Sequence, residues 1–163
     1  MSAREVLLRA REPEDAETMR WWDRVYPPLP AETMAARIAA APRMTFADPQ
    51  FAICRADTGE LVGWGGLHHP SPEHRHCGLG VLVGPEHRGQ GWGEAATRAL
   101  CRFAFDRMNL VRVTLVVFPD NVAARRTYER LGFAEEGVQR RAFWKRGAWH
   151  DLVHMAVFPE TLR

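Results

Sequence analysis

The hydrophobic pattern of this chain changes period several times, and each change marks an expected element. Residues 5–10, Glu-Val-Leu-Leu-Arg-Ala, read as a first strand. Pro13-Glu14-Asp15 then places a proline and two acids where a first helical turn favours them, and the helix is expected to run to about Trp22 or Asp23. Tyr26-Pro27-Pro28-Leu29-Pro30 cannot be helical and separates it from a second helix over 31–41. Apolar, β-branched runs over 50–56 and 61–67 flank Asp57-Thr58-Gly59-Glu60, a hairpin signal, and a third run over 76–83 continues the meander. Helical spacing returns at Ala95, Ala96, Ala99, Leu100, Phe103 and Ala104, which predicts a helix reaching Asp106 or Arg107. Residues 111–118 form the most strand-like segment, 122–130 a helix capped by Gly132, and 137–158 two strands joined near Arg146-Gly147. The order is β-α-α-β-β-β-α-β-α-β-β, an α/β (α+β) pattern without internal repeats, expected to fold as a single domain over 1–163.

The junction after the third β run carries the clearest chemistry. Val81-Leu82-Val83 is ended by the breaker pair Gly84-Pro85. Arg88-Gly89-Gln90-Gly91-Trp92-Gly93 then leads into the long helix. A glycine loop that opens a helix aims bare N–H groups at one point, and the helix dipole adds positive charge there. Such a loop is a phosphate or pyrophosphate site. A nucleoside-triphosphate loop would end in Gly-Lys-Ser/Thr, whereas this one ends in Gly-Trp-Gly-Glu. A dinucleotide loop would need GxGxxG spacing, whereas Gly89, Gly91 and Gly93 give GxGxG; Asp120, after the next strand, is the one feature in its favour.

Composition narrows the function classes. With 22 Lys+Arg against 20 Asp+Glu the net charge is +2 and the arginines are scattered, which is no nucleic-acid footprint. No stretch is long and apolar enough to span a membrane, and no signal-peptide core follows the N-terminus, so a cytoplasmic location is expected. Cys54, Cys77 and Cys101 are few, odd in number and far apart, which fits reduced thiols. His68, His69, His74, His76, Glu73 and Cys77 crowd one segment, but their spacing matches no standard zinc pattern; a solvated hairpin loop is expected there, and no metal.

Two motifs in order carry a family resemblance. Arg88-Gly89-Gln90-Gly91-Trp92-Gly93 resembles the Arg/Gln-x-x-Gly-x-Gly/Ala loop of the GNAT superfamily of acetyl-CoA-dependent N-acetyltransferases. One strand later, Asn121 through Ala124, Tyr128 and Gly132-Phe133 is similar to a second pattern of that superfamily. The segment from Gly137 through Asp151 to Ala156 and the opening Leu8 to Ala16 resemble the branch containing the ribosomal-protein N-terminal acetyltransferases. The resemblance implies a mixed, largely antiparallel sheet of six to seven strands with a splayed strand pair as the cofactor cleft. It implies acetyl-CoA as co-substrate. Val81, Leu82 and Val83 would pair with the pantetheine arm, and the backbone of Arg88, Gly89, Gln90, Gly91, Trp92 and Gly93 would hold the pyrophosphate. Asn121 would bond the cofactor near the pantetheine, Tyr128 would reach the thiol as general acid, and Arg126, with Arg125 and His87, could touch outer phosphates.

The implied reaction is attack of a neutral amine on the acetyl thioester. Relatives carry a carboxylate near the position of Gly78, where this chain has none, so Glu73, His74, His76, Asp151 and Glu32 are the candidate bases. Cys77 is expected to be a buried core thiol rather than a carrier of the acetyl group. The acceptor, a protein N-terminus or a small amine, would lie among Trp21 to Pro30, His68 to His76 and Phe143 to Trp149, with Trp21 and Trp22 as a candidate wall. Trp144 and Trp149 serve either as substrate wall or as the surface of a homodimer. The competing readings are an acyl-CoA sensor without turnover and a dinucleotide-binding oxidoreductase. An intact Asn121 and Tyr128 disfavour the first, and the loop spacing disfavours the second.

Overall fold

The computed structural model describes residues 4–18, 30–40 and 46–163. The elements are β1 (Val6–Ala10), α1 (Asp15–Thr18), α2 (Ala31–Ala40), β2 (Gln50–Arg55), β3 (Leu61–Ser71), β4 (His76–Val83), α3 (Trp92–Arg102), β5 (Arg112–Val117), α4 (Val122–Arg130), β6 (Ala134–Lys145) and β7 (Ala148–Val157). Their order is the one the hydrophobic pattern predicts. The first helix is described only over Asp15–Thr18; its expected continuation to Trp22 or Asp23, most of the proline linker, and Trp21 and Trp22 lie outside the described residues. No helix among the described residues is long and apolar enough to cross a membrane.

One sheet holds all seven strands in the order β1-β2-β3-β4-β5-β7-β6. Every neighbouring pair is antiparallel except β4 and β5. That parallel pair is registered only at His76–Arg112, Cys77–Val113 and Gly78–Thr114. Beyond Gly78, β4 stays paired to β3 while β5 stays paired to β7, so the two strands diverge and the sheet opens into a wedge. The Thr114 hydroxyl donates to the Cys77 carbonyl (3.2 Å) where the wedge closes.

The core forms where α3 and the end of α4 cover one face of this sheet. Phe51, Leu67, Leu79, Val113, Leu115, Val153 and Met155 point from the strands toward Leu100, Cys101, Ala104, Leu131 and Phe133. Burying such side chains is worth about 1.5–3 kcal/mol each before entropy is counted, and this dominates the fold's stability. Gly65 lets the helix approach closely, since a Cβ there would lie 2.8 Å from Leu100 Cδ1. The expected helix to Asp106 or Arg107 is continuous, but its last stretch, Phe103–Arg107, is a π-type turn. Gly132 takes φ +96° after α4, as expected of a cap, and its missing side chain admits the C-terminal Thr161 carbonyl.

Candidate active site

The wedge has polar walls because of how β4 pairs. Antiparallel strands direct the backbone groups of alternate residues toward the partner. The Gly84 N–H donates to the Val62 carbonyl (2.9 Å), which sets the phase. Leu82, Gly80 and Gly78 therefore turn their amides toward Trp64, Gly66 and His68 of β3. Leu79, Val81 and Val83 turn theirs into the wedge. The side chains of Val81 and Val83 meanwhile pack with Ile53, Val62, Trp92 and Ala96 under α3. Of the three residues expected to meet an extended arm, Val81 and Val83 have backbone groups on the open side, while those of Leu82 face β3.

The glycine loop closes the wide end of the wedge. Pro85–His87 forms a single 3₁₀ turn, and Gly89 (φ +70°) and Gly91 (φ +88°) take the left-handed conformation that β-carbons oppose. Two side chains fold back to brace the loop: Arg88 Nε donates to the Val83 carbonyl (3.1 Å) and Gln90 Nε2 to the Glu86 carbonyl (2.8 Å). Trp92 is buried at the first turn of α3, with the guanidinium carbons of Arg4 and Arg55 at 4.7 and 5.4 Å from its ring centre. These contacts fix the loop from behind. Its front is bare: a Cβ at Gly89 would meet nothing within 4 Å. Among the described residues, the N–H groups from Gly89 to Glu94 donate to no backbone carbonyl outside the helix. Such unpaired donors at a helix start fit a diphosphate.

The helix α4 presents the second motif. Asn121 caps it, its Oδ1 accepting from the Ala124 N–H (3.3 Å), so its side-chain NH₂ is left to donate elsewhere. Tyr128 is half-buried against Phe133, with ring centres 5.7 Å apart, and its hydroxyl has no hydrogen-bond partner among the described residues. Burial pushes its phenol above the ordinary value, with a smaller contribution from Cys101, so the hydroxyl keeps its proton through the neutral range. Arg125 is tied to Glu135 (2.9 Å) and the Pro119 carbonyl (3.4 Å), whereas Arg126 is exposed and makes no ion pair among the described residues. His87 lies 3.7 Å from Glu86 and 3.8 Å from Glu60.

The remaining candidates scatter. Glu73 and His74 stand exposed in the β3–β4 turn, and His74 stacks on His76 at 6.3 Å. Glu32 is exposed on α2, and Asp151 Oδ1 accepts from the Arg141 N–H (2.8 Å). Among the described residues no group of three or more His, Cys, Asp or Glu side chains could hold a metal ion. Cys77 is fully buried, and burial pushes its thiol up to about 12, which leaves no thiolate to carry an acyl group. Trp144 and Trp149 pack edge to face at 5.2 Å on the exposed β6–β7 tip. One placement changes: β3 continues past Leu67, so His68, expected in a solvated loop among the acceptor walls, lies on the sheet opposite Gly78. The signal for it was a histidine facing the Gly-x-Gly of the next strand, which becomes visible only once the register is known.

Comparison with known proteins accounts for this architecture. The family model described as acetyltransferase (GNAT) domain matches residues 5–134. An uncharacterized N-acetyltransferase of Bacillus subtilis, YoaA, is 33% identical over 102 residues, which cover 63% of this chain and 58% of that protein. YdaF of the same organism, whose name provisionally assigns it to ribosomal N-acetylation, is 29% identical over 93% of this chain and 90% of its own. A solved structure of spermidine N-acetyltransferase from Vibrio cholerae, in complex with CoA and spermine, superposes with a TM-score of 0.80 at 23% identity, covering 96% of this chain and 97% of that one. The wedge and bare glycine loop are thus those of a fold that accommodates CoA, and the chain belongs to the GNAT acetyltransferase family, whose members draw their acetyl group from acetyl-CoA.

Proposed function

We propose that this chain, acting as a single domain, transfers an acetyl group from acetyl-CoA to a primary amine, in a complex that holds both at once. The observation that carries the reading is the divergence of β4 from β5 after three registered pairs, into a wedge that ends at the glycine loop. An extended amide-bearing arm can complete the sheet there, taking hydrogen bonds from Val81 and Val83 as an added strand would. The backbone of Arg88 to Gly93 holds the diphosphate, and Arg126, which is exposed, meets an outer phosphate. The free NH₂ of Asn121 donates to the arm.

When bound, the co-substrate supplies an activated acyl carbon. The chain's own task is to bring the amine to it, to stabilise developing negative charge and to move protons. An N–H of β4 on the open side is a ready donor to an oxyanion. Tyr128, protonated, without a hydrogen-bond partner among the described residues and about two helical turns from Asn121, donates the proton that the departing sulfur needs. The acceptor is either a small amine or a protein N-terminus: one set of relatives is named for spermidine and another for ribosomal acetylation.

Release of free thiol from acetyl-CoA, followed with a panel of spermidine, amino-acid amides and peptides beginning with alanine or serine, tests the reading. At least one amine is expected to accelerate release well above hydrolysis. Failure of the protein to bind CoA would overturn it.

A further inference from the structure

Two cations stand on the sheet face turned away from α3, one on each bank of the wedge. Gly78 and Thr114 are the last registered pair of β4 and β5. Leu79 and Val81 on one strand, and Leu115 and Val117 on the other, point under the helices. Alternation therefore returns each chain to the outer face four residues past the seam, at Leu82 and at Phe118, just beyond the end of β5. Leu82 is paired across to Trp64 of β3, so Trp64 and Phe118 mark the same level on opposite banks. The Arg11 guanidinium carbon lies 5.0 Å from the Trp64 ring centre, and Lys145 Nζ lies 5.5 Å from that of Phe118. The β6–β7 tip brings Lys145 there: Phe143 meets Phe118 edge to face at 5.5 Å, and His150, paired with Phe143, meets it at 5.7 Å.

Neither cation is neutralised. Arg11 is half-buried over the indole, and burial works against its charge, while Asp48 and then Asp15 favour it from a distance. Both carboxylates are engaged elsewhere: Asp15 is taken by Arg9 (2.6 Å), and Asp48 Oδ1 accepts from Gln50 Nε2 (2.8 Å). Arg11 itself makes no hydrogen bond or ion pair among the described residues. Neither does Lys145, the only lysine of the chain. On the Lys145 side Glu136 is held by Arg112, Glu135 by Arg125 (2.9 Å) and Asp151 by the Arg141 N–H (2.8 Å). A guanidinium and an ammonium laid on aromatic faces with their donors unused are recognition groups for carboxylate or phosphate oxygens. A polycation lying across this end of the wedge would meet two like charges.

The helix α4 measures how far this pair lies from the chemistry. The Asn121 N–H donates to the Phe118 carbonyl (3.0 Å), so the helix starts at the level of Phe118. Strands β5 and β6 both run antiparallel to β7, so α4, which links them, runs back toward the closed end of the wedge. Tyr128, the proposed proton donor to sulfur, lies seven residues after Asn121, about 10 Å along the axis. An extended chain covers that distance in about three residues. We propose that Arg11 and Lys145 form a subsite for an anionic group of the acceptor. The preferred acceptor is then the N-terminus of a peptide with an acidic residue about three places after the reacting amine, and not a polyamine. The carboxylate of a free amino acid, attached to the same carbon as its amine, is too close to reach the pair.

The inference rests on the proposed amine acetylation and names its substrate class. Thiol release at saturating acetyl-CoA, with hexapeptides that begin with serine and carry Glu, Gln or Lys at the fourth position, reads the subsite. The kcat/KM values are expected to fall in the order Glu, Gln, Lys, by about ten-fold or more from first to last and mainly through KM. Spermidine should fall below the Glu peptide, and added salt should narrow the gap. K145E should reverse the order of the Glu and Lys peptides, and R11Q should flatten it. Calorimetric affinity for CoA should stay within about three-fold of wild type in both. A wild-type preference for the Lys peptide or for spermidine overturns the proposal. So does a K145E enzyme that keeps the wild-type order, or a larger loss of CoA affinity in either variant, which would assign the cations to the cofactor. If R11Q fails to fold, the wild-type series and K145E still decide. A protein that binds acetyl-CoA and acetylates no amine overturns both readings, whereas acetylation indifferent to the charge at the fourth position overturns only this one.

Discussion

Tyr128 is a core side chain to which the proposed mechanism also gives a chemical task. Its ring belongs to the core beside Phe133, and its hydroxyl has no hydrogen-bond partner among the described residues, in surroundings that keep it protonated. Y128F removes the proton and leaves the ring, so its expected effect is specific. Turnover should drop by about 10²–10⁴-fold while affinity for acetyl-CoA changes little, as rapid thiol-release kinetics beside calorimetry would record. An equal loss in binding and turnover would instead mark Tyr128 as a packing residue. The places of Asn121 and Tyr128 on α4 and of the loop glycines before α3 were legible because each belongs to a local pattern, a helix spacing or a turn. The place of His68 was not, because it is set across two strands: only the pairing with Gly78 puts it on the sheet.

At the scale of elements, the glycine loop and the Tyr128 helix are fastened to each other. Glu94, in the first turn of α3, pairs with Arg98 of its own helix (3.2 Å) and with Arg130 of α4 (2.9 Å). Arg130, and more weakly Arg98, holds the Glu94 carboxyl below its ordinary value. A carboxyl whose pKa is lower folded than unfolded contributes stability above its unfolded pKa and loses it as pH falls through the folded one. E94Q should therefore lower the melting temperature slightly at pH 7 and make no difference near pH 3, with the gap closing between, as thermal melts across that range would measure. Element boundaries were read well where the period was clean, as in β4 and α4. They were read less well where tertiary contacts decide. Polar Ala134-Glu135-Glu136 gives no β signal, yet β6 starts there because Arg125 and Arg112 hold the two glutamates. The helix reaches Arg107 as expected, but its last stretch is a π-type turn over Phe103–Arg107, after which the Leu110 N–H donates back to the Ala104 carbonyl (3.0 Å).

For the molecule as a whole, the sheet is two blocks joined by a short seam. Strands β1 to β4 form one block and β5, β7 and β6 the other, and the described seam between their edges is three registered pairs and the Thr114 hydroxyl, extended at its closed end by the Val111 N–H donating to the Arg75 carbonyl (2.8 Å). The alternation of strands and helices made this α/β arrangement readable. The seam's length was not, since nothing in Leu79 to Val83 or Leu115 to Val117 distinguishes a paired strand from a parted one.

That short seam reverses the usual map of exchange protection. Central strands are ordinarily the slowest part of a protein to trade amide hydrogen for deuterium. Here the Val81 and Val83 amides, in the middle of the sheet, should label almost as fast as loop positions in the free protein, while Ala52 and Ile53 of β2 stay dark. Adding CoA should silence Val81 and Val83 selectively. The ligand would then be the missing rung between the two blocks, and the sheet would become continuous only while there is something to acetylate with.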